Sequence, residues 1–289
     1  MNIALTGSSG SIGSILVNDL KSAGHKIFCI SSSHSFHEKN IYTYDEIISR
    51  KINFEADLIF HLASINSNLD ESQIDEELNL CKSVFKVMEV TGCSNLIFFS
   101  SIKVYGENSF EINQFTEDSI LEPKSSYGEA KKQCEKLITE MSSISNFNYL
   151  ILRLPPLLIE HSISNLAKLF FIVKKGIPIP SFKIGDENER SFLSYKLLLS
   201  SIKIFLNDKT KINNEIFNLS DERAISTHDL FEKIGIQLNK KPKIIYLPDF
   251  IFNQMIKLNR LQLIMCRLFG NFKISSEKFK STFFKKPYQ

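Results

Sequence analysis

Short apolar runs and longer amphipathic tracts take turns along the first half of the chain. The runs lie at Asn2 to Leu5, Lys26 to Ile30, Asp57 to Leu62, Asn95 to Ser100 and Tyr149 to Leu152. Between them, tracts such as Asp75 to Val90 and Gly128 to Met141 repeat their apolar residues every three or four positions; Ala130, Cys134, Leu137, Ile138 and Met141 form a stripe on the second. Strands alternating with helices imply a parallel sheet covered on both faces, so the predicted fold class is α/β, a doubly wound parallel sheet. Beyond Pro155 and Pro156 the strict alternation fades. The expected division is therefore a main domain over 1–154 and a smaller C-terminal substrate-binding lobe over 155–289, with one strand at about 216–219 returning to the main sheet. Within the lobe, Ser226-Thr-His-Asp229 reads as a capping box opening a helix that carries Leu230, Ile234 and Leu238 on one face. Residues 244–269 are unusually apolar and punctuated by Lys257, Arg260 and Arg267. Their helical spacing predicts an element packed on the lobe, with peripheral docking on a membrane surface as the alternative.

The first run leads into LTGSSGSIG, which places Gly7, Gly10 and Gly13 between a strand and a helix bearing Ile12, Leu16, Val17 and Leu20 on one face. A strand turning sharply into a helix, with its backbone open to close approach, suits the pyrophosphate of a dinucleotide, whose negative charge the helix-start N–H groups attract. The loop lacks the Gly-Lys-Ser/Thr ending of a P-loop. Roughly twenty residues after such a loop an acidic side chain would accept hydrogen bonds from the adenosine ribose. The chain has Ser31, Ser32 and Ser33 there, with His34 and Lys39 nearby as candidates to meet a 2′-phosphate. The expected cofactor is NAD(P), with the balance leaning to NADP.

A second constellation spans the end of the fourth run and the start of the helical tract after it. FFSSIKVYG carries Ser100, Ser101 and Tyr105, and SSYGEAKKQCEKLI carries Tyr127 four residues before Lys131. Residues four apart share a helix face, so a phenol and an ammonium there address one ligand. An ammonium beside a phenol favours the ionised form, which suits proton transfer, and the Ser101 hydroxyl can hold the oxygen being worked on. His61, inside an apolar run, is expected to be a hydrogen-bonded core residue and not a base.

With these residues in view, the chain resembles the extended short-chain dehydrogenase/reductases of the NAD-dependent epimerase/dehydratase family. TGSSGSIG resembles the family's glycine loop, DLIFHLAS its fourth strand, SSIKVYG its serine strand and YGEAK its catalytic helix; ILRLPPL, Asn165, ERSFLS and IFNLSDERAIST resemble its sugar-nucleotide half. The resemblance implies a Rossmann fold, Ser101, Tyr127 and Lys131 as catalytic residues, and cofactor contacts at Gly7, Ser9, Gly10, Ser11, Ile12, Gly13, Ser31, Ser32, Leu62, Ala63, Tyr127, Lys131, Leu154 and Pro155. Substrate contacts would fall on Ser101, Lys103, Tyr127, Asn165 and Arg190, the last suiting a diphosphate by its charge or forming a surface ion pair within its loop. SSIKVYGE, FTEDS and ERSF are most similar to reductases and 4-epimerases acting on UDP-N-acetyl-6-deoxyhexosamine-type substrates in surface-polysaccharide pathways. The expected activity is 4-keto reduction of such a UDP-sugar, because a missing ribose acid eases release of spent cofactor; the alternatives are a UDP-hexose or UDP-N-acetylhexosamine 4-epimerase and a non-catalytic NAD(P)-binding regulatory protein. Similar dehydratases carry an Asp-Glu pair directly after the Ser101 equivalent. Ile102 and Lys103 stand there instead, which ranks dehydration lower. The resemblance also implies a homodimer.

Composition narrows the remaining classes. The 289 residues, 43% hydrophobic, suffice for a large core, and a dispersed net charge of +3 does not call for nucleic acid. Cys29, Cys81, Cys93, Cys134 and Cys266 are odd in number and scattered, which fits buried thiols in a reducing cytoplasm. The six histidines lack metal-ligand spacing, so no metal is expected. Neither a signal peptide nor a membrane-spanning segment is expected.

Overall fold

The computed structural model describes residues 1–33, 41–65, 69–111, 114–159 and 165–284. In chain order the strands are β1 (Asn2–Thr6), β2 (Lys26–Ser31), β3 (Ile41–Thr43), β4 (Leu58–His61), β5 (Asn95–Ser101), β6 (Gln114–Phe115), β7 (Asn148–Leu154), β8 (Ile179–Ser181), β9 (Glu215–Asn218), β10 (Ile244–Tyr246) and β11 (Lys273–Ile274). The helices are α1 (Ser11–Ser22), α2 (Tyr44–Ile48), α3 (Ile74–Thr91), α4 (Ser126–Ser145), α5 (Asn165–Lys175), α6 (Ile184–Glu187), α7 (Tyr195–Asn207), α8 (Thr227–Leu238), α9 (Asp249–Met255), α10 (Asn259–Phe269) and α11 (Glu277–Phe283).

Seven strands form one sheet in the order β3-β2-β1-β4-β5-β7-β9, every pair parallel. The chain builds outward from β1 to β3, then returns to the other side of β1 and builds outward again from β4 to β9. The order therefore reverses between β1 and β4, and the loops at the carboxyl ends of those two strands flank the crevice where doubly wound sheets bind ligands. Both faces of the sheet are covered, as an all-parallel sheet requires. Ala4, Ile59, Leu96, Phe98 and Ile151 project into a core shared with Cys81, Val84 and Met88 of α3 and Cys134 and Ile138 of α4. The alternate positions Leu5, Phe60, Phe99 and Leu152 are equally buried. This is the Rossmann arrangement expected from the strand and helix pattern.

The chain divides into two compact units, and the main sheet belongs to Met1–Gly106, Ile120–Leu154 and Leu198–Asn218. The other unit gathers Glu107–Ser119, Pro155–Leu197 and Leu219–Gln289. It pairs β8 with β10 and β6 with β11, both parallel. Its core holds Leu166, Phe170 and Val173 of α5 against Leu230, Phe231 and Ile234 of α8. Helix α8 starts at the capping box: Ser226 Oγ accepts from Asp229 N at 3.0 Å, and Asp229 Oδ2 accepts from Ser226 N at 3.4 Å.

Residues 244–269 are not one helical stretch. They contribute β10 and two helices, α9 and α10, separated by Ile256, Lys257 and Leu258. Phe252, Met265 and Phe269 are buried with Phe182, while Phe250, Leu258, Leu263 and Ile264 remain exposed. Among the described residues no helix is long and apolar enough to cross a membrane.

Candidate functional site

The glycine loop is packed closely against backbone. Gly7 follows β1 at φ 77°, in the left-handed region, and a Cβ there would lie 2.7 Å from Ala63 N and 2.9 Å from Ala63 Cα. A Cβ on Gly13 would lie 2.1 Å from the Gly7 carbonyl oxygen. Gly10 N donates to that same oxygen at 3.1 Å, and Gly10 caps α1 without a side-chain hydrogen bond. A helix start favours a ligand of negative charge, which is what a dinucleotide's pyrophosphate supplies. Ser9 is exposed, and Ser11 and Ile12 are half-buried at the helix start.

The loop after β4 closes on the same place. Thr6 Oγ1 accepts from Ala63 N at 3.1 Å and pairs with His61 Nδ1 at 2.8 Å, while Leu62 N donates to Thr6 O at 3.3 Å. Burial, then the Lys131 charge, push the His61 imidazole down to about 3, so it is neutral and serves as a core hydrogen-bonding group. Ser31 is the last residue of β2, opposite Thr43 of β3, and Ser32 and Ser33 beyond it are exposed. The strand end that would present a ribose-binding acid therefore presents hydroxyls. His34 and Lys39 lie outside the described residues.

Ser101, Tyr127 and Lys131 belong to one unit and are placed by the contact of α4 with the end of β5. Ser101 ends β5, and its Oγ accepts from Lys103 N at 3.2 Å, capping the single 3₁₀ turn Ile102–Val104. A hydroxyl that accepts in this way still has its own proton to donate. Helix α4 is capped by Ser125, whose Oγ accepts from Gly128 N at 3.3 Å. A Cβ on Gly128 would lie 2.4 Å from the Lys103 carbonyl oxygen, so the helix rests on the turn after Ser101 where it has no side chain. One turn along, Lys131 is 1% exposed, with Nζ 4.9 Å from the Phe98 ring centroid and 5.7 Å from that of half-buried Tyr127.

Lys131 has a partner that the sequence reading did not find. Its Nζ donates to Glu77 Oε1 at 3.0 Å, both side chains being 2% exposed, and Glu77 Oε2 accepts from Ile65 N at 2.8 Å. Burial alone would raise the Glu77 carboxyl; the Lys131 ammonium and the Ile65 N–H override it and hold the group below the usual carboxylate range. Burial would likewise lower Lys131; the Glu77 charge first, then Tyr127 and Cys134, more than offset it, leaving the lysine above its ordinary value. The signal was present. The buried stripe of α3 runs Glu77, Cys81, Val84, Met88, Thr91 at helical spacing, and extending its apolar members back one turn lands on Glu77.

Glu135 is a second missed carboxylate, one turn beyond Lys131 on the buried face of α4. It accepts from Ser100 Oγ at 2.5 Å and takes two N–H groups of Arg153 on β7, Nε at 3.1 Å from Oε1 and Nη2 at 2.7 Å from Oε2. Arg153 Nη1 donates to the Tyr105 hydroxyl at 2.8 Å, which pairs with Asn218 Oδ1 at 2.8 Å. This buried chain of polar groups ties α4 to β5, β7 and β9 directly behind Ser101.

The remaining predicted contacts are divided between the two units. Lys103 is half-buried in the 3₁₀ turn, Leu154 ends β7 buried, and Pro155 follows it, also buried. Asn165 is the first residue of α5, and its side chain is not among those described. Arg190 belongs to the other unit, where its backbone bridges Ile225 and Phe272, its Nη1 donates to Leu268 O at 3.3 Å and its guanidinium lies 5.2 Å from the Phe192 ring centroid. Burial lowers it from the ordinary arginine value. The expected alternative of an ion pair within its own loop is replaced by this carbonyl and ring contact. Among the described residues no group of three or more metal-binding side chains occurs.

A parallel sheet with a glycine cradle at its switch point, and a Ser, Tyr and Lys set on the neighbouring strand end and helix, defines a dinucleotide-dependent enzyme of the Rossmann class. The chain belongs to the NAD dependent epimerase/dehydratase family, which matches residues 3–173. It is 27% identical to a UDP-glucose 4-epimerase of Vibrio cholerae over 302 aligned positions, covering 100% of this chain and 91% of that one. Among solved structures it is similar to a UDP-N-acetylglucosamine 4-epimerase from Bacillus cereus, with a TM-score of 0.77 and 18% identity over 98% of this chain and 92% of the other. A UDP-glucuronic acid 4-epimerase from Bacillus cereus in complex with NAD gives a TM-score of 0.73 and 16% identity over 100% and 94%.

Proposed function

We propose that the protein is a nucleotide-sugar 4-epimerase that keeps NAD bound, acting on a UDP-linked hexose or N-acetylhexosamine. What carries the reading is the single cluster of Ser101, Tyr127 and Lys131 at the end of β5, next in the sheet to the strand loop that meets Gly7. End-to-end similarity to a 4-epimerase supports that reaction over other chemistry of the family. Gly7, Gly10 and Gly13 would shape the loop that holds the pyrophosphate, since at Gly7 and Gly13 neighbouring backbone leaves no room for a side chain. The bound nicotinamide supplies the hydride acceptor and donor. Tyr127 takes the proton of the sugar's C4 hydroxyl and returns it to the oxygen after the sugar turns over. Ser101 donates to that oxygen and fixes its position. Lys131 sets a permanent positive charge beside the phenol, where negative charge develops during the transfer. Dehydration lacks its carboxylates, because Ile102 and Lys103 follow Ser101.

Ser31 favours a second reading, 4-keto reduction of a UDP-4-keto-6-deoxy-N-acetylhexosamine with NADPH. A reductase must release its cofactor every turn, and a strand end without a ribose-binding acid loosens the adenosine half. Two incubations separate the readings. UDP-N-acetylglucosamine or UDP-glucose without added reductant should show inversion at C4, with cofactor copurifying. Stoichiometric oxidation of NADPH or NADH by the 4-keto sugar, with no inversion in the first incubation, would overturn the epimerase assignment in favour of the reductase.

A further inference from the structure

We propose that Glu77 is a positioning residue for the proposed reaction: it keeps Lys131 charged and fixed beside Tyr127, and it couples that lysine to the cofactor-side loop after β4. The inference rests on the functional reading above and goes beyond it by assigning a role to a residue outside the serine, tyrosine and lysine set.

The geometry is that of a two-ended clamp. Oε1 of Glu77 holds the ammonium at 3.0 Å, and Oε2 holds the backbone N–H of Ile65 at 2.8 Å, two residues beyond Ala63, whose backbone N and Cα lie against Gly7. One rigid carboxylate therefore sets the distance between α4 and the loop lining the cofactor crevice. An ammonium has three donors, so the bond to Glu77 leaves two for a ligand. The other groups facing Lys131 cannot replace the carboxylate. They are His61 on β4, which is neutral, Cys81 on α3, Cys134 and Tyr127 on α4, and the Phe98 ring on β5. A hydrogen bond to Cys134, then burial, raise the Cys81 thiol well above its ordinary value, so it adds no negative charge. Without Glu77, Lys131 loses the largest charge that opposes its burial, and a buried amine sheds its proton at a lower pH.

The test combines binding and stability. NADH binding, followed by the fluorescence of the bound nucleotide from pH 7 to 10, should be nearly flat for the parent protein. In Glu77→Gln it should weaken with rising pH, by up to about tenfold per pH unit once the lysine titrates. Glu77→Asp retains the charge on a shorter arm and should stay closer to the parent in pH profile than Glu77→Gln does. Parallel profiles for the parent and Glu77→Gln, or Asp behaving worse than Gln, would overturn the proposal. Independently of any cofactor, Glu77→Gln should lower the thermal midpoint by roughly 5–15 °C through the uncompensated ammonium, and Glu77→Gln with Lys131→Met should recover most of it. Additive losses would overturn the pairing. Should the single variant not fold, a folded double variant supports the proposal and an unfolded one counts against it. A parent protein that binds no nicotinamide nucleotide would sink the functional reading, while the stability cycle would still decide the pairing.

Discussion

Arg153 grips Glu135 with two parallel hydrogen bonds, and Glu135 in turn accepts a hydrogen bond from the hydroxyl of Ser100, the residue before Ser101. Both charged side chains are under 5% exposed. Arg153→Met should leave a buried carboxylate without its counter-charge and destabilise the fold by about 3–5 kcal/mol, whereas Tyr105→Phe should cost about 1–3 kcal/mol by removing the buried hydroxyl that links Arg153 to Asn218. Urea unfolding at neutral pH measures both. Equal, small losses would mean that the chain of polar groups is not a unit.

Tyr127→Phe is expected to keep the fold and cofactor binding but lose turnover by roughly two to four orders of magnitude, as for removal of a general acid–base group. Steady-state rates alongside NADH titration decide it; near-parent activity takes Tyr127 out of the mechanism.

Gly13→Ala should abolish or greatly weaken dinucleotide binding, because its methyl group would sit 2.1 Å from the Gly7 carbonyl oxygen and the loop must move to admit it. Gly24→Ala is the control for fold: at φ 85° it is strained but meets nothing within 4 Å, so it should lower stability modestly and leave binding intact. Isothermal titration of NAD and NADP with the two variants checks this, and equal binding losses would mean that the cradle is not the site.

Ser31→Asp should shift preference toward NAD, by accepting from a ribose hydroxyl and repelling a 2′-phosphate. Competitive titration of both cofactors before and after the substitution reads the shift. An unchanged ratio would show that the end of β2 does not face the adenosine ribose.

His61 gives a pH prediction with a defined sign. Its folded value, about 3, lies below the unfolded value of 6.5, so the unfolded chain takes up a proton first as pH falls. Stability should be full above about 6.5 and decline below it at up to about 1.4 kcal/mol per pH unit. His61→Gln should remove that slope in urea midpoints measured between pH 7 and 5, leaving the contributions of the other histidines in place.

The sheet was legible because buried parallel strands are short unbroken apolar runs, and five of the seven announce themselves that way. β9, at Glu215–Asn218, showed as a late return within one residue. β3 did not show: Ile41–Thr43 is three residues at the sheet edge, paired on one side only, and carries too few apolar positions to make a pattern. Periodicity also treats every carboxylate as solvent-facing. Glu77 and Glu135 are buried because each has a cation from another element, Lys131 and Arg153, and such a pairing is invisible until the elements are docked. In the second unit, β8, β10 and β11 are two or three residues long, set by their partners more than by their own sequence.

The contact between Gly128 and the Lys103 carbonyl gives the site a kind of immunity to drift. A seat built from interlocking side chains shifts whenever one of them changes size. Here the seat is mostly backbone, with the Pro123 Cβ beside it, so much of the lysine-, isoleucine- and phenylalanine-rich surrounding chain can vary while the spacing from serine to tyrosine stays put. The vulnerability is concentrated instead of shared: one methyl group, added at residue 128, reaches what many substitutions in the core would not.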